Sequence, residues 1–62
     1  MIYYNGIYKL LINDKICDVV VSDISVDIET GITLITVLVL NEFMVSHTFN
    51  SQEFISQLLN DD

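Results

Sequence analysis

Ile32-Thr33-Leu34-Ile35-Thr36-Val37-Leu38-Val39-Leu40 is the longest apolar run in the chain. Side chains alternate between the two faces of a strand, so this run puts large aliphatic residues on both. A chain of 62 residues has room for one short helix. That helix covers one face of a sheet and leaves the other in need of a second cover.

Turn signals flank the run. Upstream, Glu29-Thr30-Gly31 reads as a three-residue hairpin loop with glycine at the left-handed position. It predicts Val26 opposite Leu34 and Ile24 opposite Thr36. Downstream, Asn41-Glu42 reverses the chain and predicts Leu38 opposite Val45, Thr36 opposite His47 and Leu34 opposite Phe49.

The segment before the first loop, residues 16–28, is long. Cys17, Val19 and Val21 share one face, and so do Ile24, Val26 and Ile28, but an odd spacing separates the sets. A bulge near Ser22-Asp23 would bring both to one side. Two separate strands meeting there also fit, although Ser-Asp makes a poor two-residue turn. Asn13-Asp14 supplies a tight turn that pairs Ile12 with Lys15, Leu10 with Cys17 and Lys9 with Asp18, the last a pair of unlike charges. Asn5-Gly6 is either a further turn, making residues 2–4 a small strand, or a bulge in a longer first strand.

After Phe49 the period changes. Asn50 and Glu53 have the spacing of a capping box. Phe54, Ile55, Leu58 and Leu59 form the apolar stripe of a helix from Ser51 to about Asn60. Asp61 and Asp62 at its C-terminus oppose the helix dipole and predict a frayed end. The fold class is α+β: an antiparallel meander of four to five strands, then one C-terminal helix packed on one sheet face, in one domain spanning residues 1–62.

These registers sort the side chains. The helix-covered face collects Tyr8, Leu10, Ile12, Cys17, Val19, Val21, Ile24, Val26, Ile28, Ile32, Leu34, Leu38, Leu40, Val45 and Phe49. The opposite face collects Leu11, Ile16, Val20, Ile35, Val37, Val39 and Met44. Of these, Ile35, Val37, Val39 and Met44 are expected to form a homodimer or docking face, since an exposed patch of this kind marks an interaction site and two-fold association is the commonest oligomer.

Composition narrows the function. Nine Asp and Glu against two lysines give a formal charge of −7. That argues against direct binding to nucleic acid or an anionic membrane, and it favours a basic partner. The same charge also keeps a chain of 52% hydrophobic residues in solution. No basic, apolar leader is apparent, and the nine-residue run falls short of the ~20 residues a membrane helix needs. A reduced, cytoplasmic setting is expected. One cysteine excludes an internal disulfide, and one Cys with one His is too few for a structural zinc site.

Asp18, Asp23, Asp27 and Glu29 are the candidate partner-binding residues. The last three alternate with Ile24, Val26 and Ile28 and so project away from the core. Neighbours two apart on a strand lie about 6.6 Å apart, comparable to successive phosphates; the plainer reading is a solvated strand face. His47 reads as a polar partner of Thr36 within the sheet, and Cys17 as a small buried hydrophobe. Tyr3, Tyr4 and Tyr8 lack the basic neighbours of a base-stacking platform. No calcium-type loop, phosphate loop or enclosed substrate site is apparent, and no cofactor or enzyme activity is expected.

In size, charge and fold style the chain resembles small acidic bacteriophage proteins that inhibit host factors, some by imitating DNA. That likeness implies a basic host protein as target and transfers no residue. The leading expectation is a homodimeric acidic protein that occupies a basic surface of a partner. A homo-oligomeric structural or assembly protein and an antitoxin or immunity-type protein are the alternatives.

Overall fold

The computed structural model describes residues 2–59. It contains β1 (Ile7–Ile12), β2 (Lys15–Val26), β3 (Thr33–Val39), β4 (Ser46–Asn50) and α1 (Ser51–Gln57). The strands form one antiparallel sheet in the order β1-β2-β3-β4, and the helix packs on one face of it.

The first hairpin follows local rules. Asn13 and Asp14 both adopt positive φ (51° and 65°), as a two-residue turn matched to strand twist requires. Ile12 therefore faces Lys15, Leu10 faces Cys17 and Lys9 faces Asp18. The Lys9 ammonium donates to the Asp18 carboxylate at 2.9 Å. That pair is half exposed and contributes well under about 1 kcal/mol. The register shift between Val21 and Asp23 is the expected bulge at Ser22. It returns Ile24 to the face that carries Val19 and Val21.

Residues 2–4 form no strand. Gly6 N–H bonds the Tyr3 carbonyl at 3.0 Å with Asn5 left-handed (φ 65°), so a turn leads into β1. A Cβ on Gly6 would lie 2.8 Å from the Tyr8 ring, which is why the smallest residue stands there. Tyr8 Oη accepts the Tyr3 N–H at 2.9 Å.

The second hairpin departs from expectation. Asp27 N–H donates to the Ile32 carbonyl (2.8 Å) and Gly31 N–H to the Asp27 carbonyl (2.7 Å). The loop thus has four residues, Ile28 to Gly31, and Val26 faces Thr33 rather than Leu34. A one-residue shift turns every β3 side chain over. The third hairpin also closes differently, by Val39 N–H to the Val45 carbonyl at 3.0 Å, around a loop in which Met44 is left-handed (φ 59°). His47 then faces Val37, Thr36 faces Thr48, and Phe49 faces Ile35. The two shifts cancel at β4, so only β3 is inverted.

Leu10, Ile12, Val19, Val21, Ile35, Val37, Val39 and Phe54 make the buried core. Phe54 is fully buried and meets Tyr8 edge to face, ring centroids 5.4 Å apart. The capping box is formed: Asn50 Oδ1 accepts the Glu53 N–H (2.8 Å) and Glu53 Oε1 accepts the Asn50 N–H (3.1 Å).

The helix is shorter than expected and rotated. It ends at Gln57, and Leu58 turns extended to bridge Leu10 while Leu59 N–H bonds the Lys9 carbonyl at 2.9 Å. The last leucines thus leave the helix to cover the edge of β1. Ile55 is consequently 62% exposed, off the buried stripe. The fraying expected at Asp61 and Asp62 lies outside the described residues.

A chain of this size has a stability of roughly 3–9 kcal/mol at ~0.05–0.15 kcal/mol per residue. Phe54→Ala should remove about 3–5 kcal/mol of it and leave a largely unfolded chain by circular dichroism. Ile55→Ser should change stability by less than about 0.5 kcal/mol. Equal losses in urea titration would show that the helix packs by a different face.

Candidate interaction face

With α1 on one side, no helix or strand among the described residues lies over the other face of the sheet. Alternation along each strand places Ile7, Lys9 and Leu11 of β1 there, with Ile16, Asp18, Val20, Asp23 and Ser25 of β2. Leu34, Thr36 and Leu38 of β3 join them, with Ser46, Thr48 and Asn50 of β4.

The bulge at Ser22 divides this face. On one side Ile7, Val20 and Leu38 are direct register partners across three strands. At about 4.8 Å between strands they form an apolar bar roughly 10 Å wide. Ile7 is 68% and Leu38 42% exposed. Leu11 and Ile16 face each other farther along, and Leu40 continues β3 through its N–H to the Asp18 carbonyl at 2.9 Å. The loop after β3 holds Phe43 and Met44 out beside the bar, and with Val20, Leu38 and Leu40 they line an open groove of about 680 Å³.

On the other side of the bulge the face is polar. Asp23 stands beside Thr36, whose hydroxyl bonds the Thr48 hydroxyl at 3.0 Å. Ser22 Oγ donates to the Thr36 carbonyl at 3.2 Å. Ser25 follows on the same side of β2, and Asp27 stands just past the strand end.

Two corrections concern the expected site residues. Ile35, Val37 and Val39 do not form an exposed face: Val37 is 0% exposed, and all three lie beneath α1. The inverted register of β3 put them there, and it sent Leu34, Leu38 and Leu40 to the open side instead. Met44 is exposed, but on the loop rather than in a strand. His47 does not pair with Thr36. It faces Val37 and stacks on Phe49, ring centroids 5.9 Å apart.

The four acidic candidates are all at the surface, in differing roles. Asp18 is engaged by Lys9, and Asp23 is exposed on the open face. Asp27 spends Oδ1 on the Glu29 N–H (3.0 Å), which shapes the loop, and Glu29 stands within that loop. Cys17 is half buried and free of a disulfide. Among the described residues no three His, Cys, Asp or Glu lie close enough to share a metal ion, and no helix is long and apolar enough to cross a membrane. Sequence reading missed Ile7, Leu38 and Phe43 as members of the exposed apolar face. For Leu38 a signal existed only in the length of the loop before β3.

The chain matches no family model, no curated protein and no solved structure. The face itself therefore carries the functional reading.

Inversion of β3 yields a sharp test. Val37→Asp places a charge in the core and should abolish the folded dichroism spectrum. Leu38→Asp, one residue on, should leave the fold intact at a loss of about 1 kcal/mol. Reversed sensitivities would return Val37 to the surface.

Proposed function

We propose that this chain is a small protein-binding module that seats its open sheet face on a basic surface of a partner protein and so blocks that surface. The carrying observation is the Ile7–Val20–Leu38 bar lying on the same face as the carboxylates of Asp18 and Asp23. Apolar area supplies the affinity. The surrounding acids select a cationic partner and speed its approach.

Charge decides the partner's chemistry. With −7 on 62 residues, an acidic or neutral surface gains nothing from Asp23, Asp27, Glu29 and Glu42 and must desolvate whichever of them it covers. A face rich in Lys and Arg turns that burden into attraction. Phosphate-by-phosphate imitation of nucleic acid is not favoured: Ser25 stands between Asp23 and Asp27, so those carboxylates are about 13 Å apart along the strand. General attraction to a basic surface, including one that ordinarily holds nucleic acid, fits better.

The test uses the immobilised chain and a lysate of source or host cells. A basic protein should be retained at low salt and released as the screening length falls from about 10 Å toward 3 Å. Leu38→Asp should lose that protein outright. Asp23→Asn with Asp27→Asn should weaken its retention and flatten the salt dependence. Capture that ignores both variants, or that survives high salt unchanged, would overturn the proposal.

A further inference from the structure

An open four-stranded sheet has two edges, and this chain treats them differently. On β1 the outward groups are partly taken: Leu59 N–H bonds the Lys9 carbonyl, and Leu58 bridges Leu10. Lys9 also places a charge there, a common guard on an edge strand. β4 has neither device. It contains no Lys, Pro, Asp or Glu, its neighbour β3 is also uncharged, and no bulge interrupts their pairing.

The direction of the β4 backbone groups follows from the hydrogen bonds around them. Val39 N–H to the Val45 carbonyl makes that a hydrogen-bonded pair. Antiparallel pairs alternate, so Val37/His47 and Ile35/Phe49 are bonded pairs and Leu38/Ser46, Thr36/Thr48 and Leu34/Asn50 are not. Leu40 N–H to Asp18 and Asp27 N–H to Ile32 fix the same phase from the β2 side. Ser46, Thr48 and Asn50 therefore aim their N–H and C=O outward. Glu53 claims the Asn50 N–H. As N-cap, Asn50 gives its C=O to the first bond of α1, so four outward groups remain, the N–H and C=O of Ser46 and of Thr48.

We infer that β4 pairs antiparallel with β4 of a second copy of this chain, about a two-fold axis at His47. That register sets Ser46 opposite Thr48 of the other copy, twice, and satisfies all four groups with four hydrogen bonds. An axis at Thr48 would satisfy only two. The helix does not obstruct the pairing, because α1 starts at β4 and leads away across the sheet toward β1, where Leu58 lands.

Charge favours a second copy at this edge over the open face of the sheet. Two chains of −7 repel at β2 and its loops, where Asp18, Asp23, Asp27 and Glu29 cluster, whereas the strands meeting here are neutral. Glu42 and Glu53 flank the two ends of the edge and are the carboxylates that salt must screen. The resulting eight-stranded sheet would carry two open faces side by side. This inference does not depend on the identity or existence of a basic partner.

Sedimentation at high micromolar concentration should give twice the 7.1 kDa chain mass. Added salt should strengthen the dimer, the opposite of its effect on a basic partner, so the two proposals fail separately. In a Cys17→Ser background, His47→Cys should cross-link across the axis under diamide, since unbonded antiparallel pairs hold Cα atoms about 4.5 Å apart. Thr48→Cys, two residues out of register with its own copy, should not. Thr48→Pro removes an outward N–H and should yield a folded monomer. A 7.1 kDa particle at all concentrations, or equal cross-linking by both cysteine variants, would overturn the inference; so would a folded Thr48→Pro dimer.

Discussion

The closure of the loop between β2 and β3 is the constraint on which the rest depends. Asp27 holds it three ways: its N–H bonds Ile32, its carbonyl takes Gly31 N–H, and its carboxylate takes Glu29 N–H. Thr30 Oγ1 accepts the Ile32 N–H at 3.2 Å, and Gly31 sits at φ 74°, where a side chain would be strained. These bonds select four loop residues over three. Strand side chains alternate with period two, so that single residue decides which half of β3 is buried. Ile35, Val37 and Val39 enter the core; Leu34, Thr36 and Leu38 face outward.

Local chemistry made the other features readable from sequence. Asn13-Asp14 admits one tight closure, so the β1–β2 register follows. The odd spacing between Val21 and Ile24 calls for a bulge or a strand break, with Ser-Asp a poor turn, and Asn50 with Glu53 announces the helix start. β3 offers no comparable signal. It is apolar on both faces, so Ile35-Val37-Val39 and Leu34-Leu38-Leu40 are equally acceptable as core, and hydrophobic pattern cannot choose between them. The helix end was hidden for a different reason. No Gly or Pro follows Gln57, and Leu58 and Leu59 would continue the helix by propensity. They leave because β1, distant in sequence, offers the Lys9 carbonyl to the Leu59 N–H.

Element lengths account for the zoning of the surface. Seven helical residues extend about 10 Å, whereas the twelve residues of β2 reach about 40 Å. Phe54 can therefore close the core over Val19, Val21, Ile35 and Val37, but not over the far end of β2. There Ile24 and Val26 are exposed on the helix side and Asp23 and Ser25 stand on the reverse, with Asp27, Ile28 and Glu29 exposed just beyond the strand. The carboxylates are thus gathered where little packing holds the chain and hydration is unopposed. The apolar bar lies over the part of the sheet whose other side is packed, at Val19, Val21 and Val37. A partner meeting this face would find a fixed apolar footing beside a charged, two-sided arm.

The same economy governs the edges. After α1, Leu58 and Leu59 go to the outer side of β1. β4 is left open, yet it is the one edge where neighbouring strands bring no carboxylate. An unguarded edge on a neutral chain invites unlimited pairing. Here Leu58 and Leu59 already cover part of β1, so the inferred pairing through β4 would leave a further copy only a partly taken edge. High net charge would disfavour any looser association of such dimers, and the unequal treatment of the two edges would keep the inferred assembly finite.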